Sequence, residues 1–307
     1  MLTNLIRIFI FIAFIIIIGL VMTGSNSAES TKSIAPDDSF GDYWYQGKAE
    51  LNRYNLKQVR YSELRQGDAV LIFVTEDFLP SKQVKYEYKQ SDETPVSVLK
   101  VNFTRRFLTG IYPYSMMSSV FTPVSSDFRK TLKVTTTVQE WCGHTFMQLN
   151  YRDNKYNSQL RSYFQLENDQ DINLGDIILE DELWTRIRIN PQLLPSGEVT
   201  IFPGTQFLRL SHLPNQAQPA KISISSAGMN ELIAIPHRVL HLSYHKIDRE
   251  LKIYFSSNFP YEILGWEESS RDGKSKTSAV RTNSMLLDYW NKNGSEDTVY
   301  REKLGLE

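Results

Sequence analysis

The residues best equipped for chemistry lie together in Gln139-Glu140-Trp141-Cys142-Gly143-His144, which places the chain's one cysteine between a carboxylate and a histidine at alternate positions. Read as a strand, the segment projects Glu140, Cys142 and His144 from one face, ~6.6 Å apart per two residues. A thiol becomes a nucleophile when a base touches it, and neighbours two apart on a straight strand seldom meet. The same trio offers three ligand types for a metal. The competing reading makes Cys142 a small buried residue beside Trp141, its pKa raised by burial and its thiol inert. That reading takes precedence, because nothing else in the chain completes a triad. A thioredoxin-type redox site is excluded by the lack of a second cysteine.

Three further groupings carry weaker signals. Asp169, Asp171 and Asn173, with Glu180 eleven residues after the first, echo the oxygen ligands of a calcium loop, although the glycine falls one place late at Gly175. His237, His241 and His245 recur every fourth residue. On a helix they would stack as metal ligands, but Leu240, Leu242 and Tyr244 alternate with His241, Ser243 and His245, so the period is two and the imidazoles read as the solvated face of a hairpin. Arg186 and Arg188 alternate with Ile187 and Ile189 beside Glu180-Asp181-Glu182, a pattern usual for an ion-paired or solvated face. Gly-rich phosphate loops, Gly-x-Ser-x-Gly elbows and His-Glu-x-x-His motifs are missing, and no cofactor is expected.

The elements that must position these residues read as an antiparallel meander. Strands are expected over Trp44–Tyr61, after a turn at Glu63–Asp68 over Ala69–Thr75, and then over Gln83–Tyr88 and Val96–Phe107. Thr131–Trp141, Thr145–Tyr151 and Tyr156–Phe164 continue the series, with Arg152-Asp153-Asn154-Lys155 as a tight turn. The pattern loosens between Ser162 and Arg209, where a short helix is expected around Ile178–Arg186. Val239–Tyr244, Leu251–Phe255, Tyr261–Glu267 and Ser278–Tyr289 resume the hairpins, the last two joined across Arg271-Asp272-Gly273-Lys274. Ser295 opens a final short helix that ends before Gly305. The fold class expected is all-β with minor α, a large curved antiparallel sheet or incompletely closed β-barrel. Wide twisted sheets bend, split or close.

Fifteen uncharged and mostly large apolar residues run from Ile8 to Met22, behind Arg7 and ahead of Thr23-Gly24-Ser25-Asn26-Ser27-Ala28. This is the layout of a secretory signal peptide over residues 1–28 rather than of a spanning helix, with an uncleaved inner-membrane anchor as the alternative. Residues 29–39 read as a flexible linker and 40–307 as a single β-rich domain. Arg7 is the only charge in the first 28 residues, which leaves 33 basic against 35 acidic side chains in the remainder. That balance, with basic residues only in short pairs such as Arg105-Arg106, gives nucleic acid no footprint. One cysteine allows no intrachain disulfide, so the fold must hold by packing.

Several stretches together resemble a family of uncharacterised exported proteins from Gram-negative Bacteroidetes-type bacteria. They are Tyr43-Trp44-Tyr45-Gln46-Gly47-Lys48-Ala49-Glu50, Gly67–Phe78, Tyr112-Pro113-Tyr114-Ser115-Met116-Met117, Gln139–Gly143 and Leu183-Trp184 to Pro195-Ser196-Gly197. Members are often lipoproteins, and this chain departs from them by lacking a lipobox cysteine. Some carry the label of Maf-type septum-formation inhibitors, whose Ser-x-Ser-Pro-Arg-Arg signature is not found here. The resemblance implies a periplasmic or cell-envelope location and no activity.

The expectation for function is a hydrophobic or amphiphilic ligand, a lipid, or an envelope protein partner received in a concave, aromatic-rich sheet face, with Arg105, Arg106, Glu140, Trp141, Cys142 and His144 in the lining. Membrane contact is expected only through the N-terminal segment. An envelope hydrolase or metal-dependent enzyme built on Glu140, Cys142 and His144 is the alternative.

Overall fold

Alternation of buried and more exposed positions in many of the extended segments between Ala49 and Leu287 makes them strands with one buried face. The computed structural model describes residues 39–306 apart from 88–91, 126–129, 271–272 and 275, so the signal-peptide and linker expectations (1–28 and most of 29–39) lie outside the described residues. The first strands are β1 (Ala49–Arg60), β2 (Glu63–Leu79), β3 (Val84–Lys85), β4 (Val96–Thr109) and β5 (Tyr112–Pro123). Next come β6 (Lys133–Glu140), β7 (Gly143–Arg152), β8 (Lys155–Ser162), β9 (Gln170–Gly175), β10 (Ile178–Leu179) and β11 (Gly197–Phe202). The last are β12 (Gln218–Ala227), β13 (His237–Tyr244), β14 (Glu250–Phe255), β15 (Ile263–Ser269) and β16 (Lys276–Leu287). Four short helices accompany them: α1 (Phe40–Trp44), α2 (Leu183–Ile189), α3 (Thr205–Ser211) and α4 (Val299–Leu304).

All sixteen strands join one sheet in the order β10-β11-β12-β13-β14-β15-β16-β1-β2-β4-β5-β6-β7-β8-β9, with β3 attached to β2. Pairing is antiparallel except between β10 and β11. The edge strands β9 and β10 do not pair, yet only Asp176 and Ile177 separate them in the chain. Three peptide steps span at most ~10 Å, so the sheet is curled until its edges nearly meet and the seam is bridged covalently. This is the incompletely closed barrel expected from the sequence.

About eight strands make a barrel whose own side chains fill it, so a curl nearly twice as wide needs filler. The chain supplies it at the seam. Residues 177–213 leave β10, run through a 3-10 turn at Glu180–Glu182 into α2, return as β11 and continue into α3. Leu179, Leu183, Trp184, Ile187, Phe202 and Leu208 of this plug share one apolar cluster with Tyr54, Phe103, Leu240 and Trp266 of the wall. Trp184 sits edge-on to Phe103 (5.1 Å) and Trp266 (5.4 Å). On the outer face, Leu304 of α4 covers Leu51, Val70 and Val74.

The strand connections define two rims. The near rim carries the β1–β2, β4–β5, β6–β7, β8–β9, β11–β12, β13–β14 and β15–β16 connections, the far rim carries the β2–β4, β5–β6, β7–β8, β9–β10, β12–β13 and β14–β15 connections together with α1, and the β10–β11 connection crosses from one to the other. The expected turn at Arg152–Lys155 forms at the far rim, with Asp153 (φ 51°) and Asn154 (φ 58°) in the left-handed geometry that a two-residue hairpin demands.

Several expectations are corrected. Trp44–Tyr61 is not one strand, because Phe40–Trp44 is helical and β1 begins at Ala49. The turn expected at Glu63–Asp68 lies instead at Tyr61 (φ 55°) and Ser62 (φ 60°). Gly67 sits inside β2, where a Cβ would lie 2.1 Å from the Arg106 carbonyl oxygen, so this glycine serves close strand approach rather than a turn. Within the expected strand Gln83–Tyr88, only Val84–Lys85 pairs, and Tyr88 lies outside the described residues. The helix expected over Ile178–Arg186 begins later, at Leu183, after a two-residue strand and the 3-10 turn. Strands β5, β9, β11 and β12 have no counterpart in the sequence reading. The C-terminal helix ends before Gly305 (φ 75°) as expected.

Candidate functional site

At the β6–β7 hairpin, Gln139 pairs with His144 and Glu140 with Gly143, so Trp141 and Cys142 form the turn itself. The one-face strand geometry expected for Glu140, Cys142 and His144 is therefore corrected. The carboxylate of Glu140 turns inward, accepting a hydrogen bond from the Cys142 amide (2.7 Å) and one from Arg209 of α3 (3.1 Å). His144 lies exposed in a shallow groove of about 460 Å³ on the convex face, beside Phe146, Arg161 and Tyr163. Cys142 is exposed and Trp141 is 68% exposed, contrary to the expected burial. Its thiol is nevertheless raised in pKa, because it is hydrogen-bonded to the Glu140 carboxylate, which disfavours a thiolate. The thiol thus faces a carboxylate that Arg209 also holds, and that neighbour works against a thiolate.

Arg105 and Arg106 lie on opposite faces of β4. Arg106 is exposed on the outside. Arg105 points inward, stacked 4.7 Å over Phe103, and belongs to a buried chain of charges at the near rim. It donates to Glu268 (2.6 Å) and to Gln58 (3.3 Å). Arg249 donates to the other Glu268 oxygen (2.8 Å) and to Glu180, whose second oxygen accepts from the Tyr244 hydroxyl (2.6 Å). Burial alone would raise the Glu268 carboxyl, but the two guanidiniums prevail and hold it down at about 2. Beside this chain, burial pushes Asp181 up to about 7, with the Glu180 charge adding to it, despite hydrogen bonds from the Thr205 amide (3.0 Å) and hydroxyl (3.2 Å). The Nε atoms of Arg105, Arg209 and Arg249 are buried without a hydrogen-bond partner among the described residues.

The buried charges floor a cavity of about 210 Å³ that opens at the near rim between the β1–β16–β15 wall and α3. Arg249, Glu268 and Gln58 form its base, Phe207 and Leu210 one side, and Arg60 with Tyr61 part of its mouth. Arg60 is fixed there by the Leu210 carbonyl and the Tyr114 hydroxyl, and its guanidinium stacks 4.4 Å over Tyr61. Two consecutive non-glycine residues in left-handed backbone, Tyr61 and Ser62, thus sit at the cavity mouth, a costly conformation held by the Tyr61 hydroxyl on Tyr112 (2.9 Å) and Tyr114 (3.0 Å).

At the far end of the plug, Arg188 is fully buried and grips Glu50 of β1 with both terminal nitrogens (2.5 and 2.7 Å), while its Nε donates to the Pro260 carbonyl (2.8 Å). Burial would raise the Glu50 carboxyl, and Arg188 instead brings it to about 2. The sequence marked Arg188 only as part of a mixed-charge face.

The calcium-loop residues are not brought together. Asp169 and Asp171 face Arg161, Asn173 accepts from the Gly175 amide (2.9 Å), and Glu180 is buried in the plug against Arg249. No group of three or more His, Cys, Asp or Glu placed to hold a metal occurs among the described residues. Among the histidines expected on a solvated face, His237 is buried instead, 1% exposed and bonded to the Ile235 carbonyl (2.8 Å). His241 and His245 are half-open and face Glu250 and Glu198. Compared with known protein families, with curated proteins and with solved structures, the chain matches none.

Proposed function

We propose that the chain is an exported periplasmic or cell-envelope protein of a Gram-negative bacterium that binds a small amphiphile at the near rim of its barrel. The observation that carries this reading is the rim cavity. Its floor is the buried arginine–glutamate chain of Arg249 and Glu268, and its sides are Phe207, Leu210 and Tyr61. Ligand sites pair a mostly apolar wall with a few convergent polar groups. The volume of about 210 Å³ suits a polar headgroup or a short chain rather than a whole lipid. The Ile8–Met22 segment and the family resemblance support the compartment.

Native mass spectrometry of the protein purified from its own envelope tests the proposal. The expected result is a bound amphiphile that Ser211→Trp, which fills the cavity from its α3 side, removes without lowering the melting temperature. A wild-type spectrum free of adducts, or an adduct indifferent to Ser211→Trp, contradicts it.

A further inference from the structure

Four hairpins that are neighbours in the sheet present exposed apolar side chains at their tips along the near rim. The β1–β2 tip exposes Tyr61 (55%) and, just behind it, Leu64 (52%). The β4–β5 tip exposes Leu108 (62%) and Ile111 (79%), and no charge occurs anywhere between Phe107 and Val124. Trp141 (68%) caps β6–β7, and Tyr163 (75%) with Leu166 (90%) caps β8–β9. The tips touch one another. The Tyr61 and Tyr112 hydroxyls are 2.9 Å apart, Tyr112 stacks on Trp141 at 6.4 Å, and the Tyr163 ring lies so close over Gly143 that a Cβ there would be 2.8 Å from it. Eight adjacent strands make this a continuous arc of ~34 Å.

We propose that this arc is a lipid-interface docking edge, which seats the barrel mouth-down in the headgroup layer of a bilayer. The side-chain types fit that occupant, since Trp and Tyr take the headgroup level while Ile and Leu reach the acyl boundary. Separate protruding apolar tips suit a fluid that closes around each of them, whereas a protein interface needs a shape-complementary patch with an apolar core and a polar rim. Flanking charges are mixed, with Arg60 beside Glu63 and Arg161 paired to Asp171, so attraction to anionic lipid is not the driving force. Among the described residues no helix is long and apolar enough to cross a membrane. The edge stands independently of the cavity ligand.

Cys142, the only cysteine and exposed at the Trp141 tip, gives a direct probe. The full chain labelled there with a polarity-sensitive fluorophore is mixed with phosphatidylcholine vesicles. The expected result is a blue shift and a drop of ~fivefold or more in quenching by aqueous iodide, unchanged by added phosphatidylglycerol or by salt. The same label on Asn154→Cys at the far rim, in a Cys142→Ser background, stays quenched. The triple variant Ile111→Ser, Tyr163→Ser, Leu166→Ser loses the protection at Cys142, and Ser211→Trp keeps it. Equal quenching with and without vesicles overturns the proposal. So does protection that grows with protein concentration in the absence of lipid, or that disappears in Ser211→Trp.

Discussion

The two ends of the curled sheet are built on different principles. At the far end the plug is locked: Arg188 uses all three nitrogens on Glu50 and Pro260, between the rings of Trp44 and Phe73, and α1 closes the end with Phe40 and Trp44 buried. Its tight turn is solvated in the ordinary way by Arg152, Asp153, Asn154 and Lys155, although Tyr45, Met229 and Ile235 are also exposed there. At the near end the guanidiniums of Arg105, Arg209 and Arg249 each keep an unpaired nitrogen, a cavity stays open, and four hairpin tips are apolar.

The largest expected effect lies at the locked end. Arg188→Ala strands the Glu50 carboxylate inside the barrel, and denaturant unfolding should show a loss of ~3–5 kcal/mol. Equal stability of variant and wild type would break the contrast between the ends.

Acid tests the buried ion pair at each end next. Glu50 and Glu268 are both held at about 2, below their ordinary value, so each contributes stability that is present above the unfolded-state pKa and lost as pH falls from ~4.5 toward 2. Glu50→Gln or Glu268→Gln should each flatten that part of the stability–pH curve by up to ~3 kcal/mol. An unaltered acid limb in either variant counts against the corresponding pair.

Asp181 has the opposite sign. Its folded pKa of about 7 lies above the unfolded value, so the fold loses stability as pH rises between ~4 and 7. Asp181→Asn, which keeps both contacts to Thr205, should raise stability by ~1–2 kcal/mol at pH 8 and leave it unchanged at pH 4. A variant less stable at pH 8 would mean that the ionised carboxylate is needed there.

The smallest effect is at the tips. Ile111→Ser and Leu166→Ser should each move stability by no more than ~0.5 kcal/mol, because these side chains touch little in the folded chain. A larger loss in thermal unfolding would make the tips part of the core rather than a surface for something else.

What the sequence revealed of this design follows from how local each signal is. Hairpins such as β7–β8 were legible because Asp153-Asn154 is itself turn chemistry and the flanking strands alternate. The turn at Tyr61-Ser62 was hidden, since its left-handed backbone is held by distant tyrosines and an arginine rather than by turn residues, while Gly67 nearby imitated a turn. The plug escaped for two reasons. Its helices are seven residues each, too short to show a period, and Arg188 meets Glu50 from 138 positions away. Arg105 was legible as a candidate, but its partners Glu268 and Arg249 were not, because only closure of the curl brings β4 and β15 together. The break between the expected strands Thr131–Trp141 and Thr145–Tyr151 falls within two residues of the actual Trp141-Cys142 turn, whereas the one-face geometry considered for Glu140, Cys142 and His144 needed a straight strand through it.

Hydrogen–deuterium exchange of the full chain, with and without lipid extracted from its own envelope, tests the contrast between the ends most directly. The account predicts slower exchange confined to the near-rim tips around Tyr61, Ile111, Trp141 and Tyr163, with the far-rim turn at Asp153-Asn154 unchanged. Protection of both rims alike, or of the far rim alone, would contradict it.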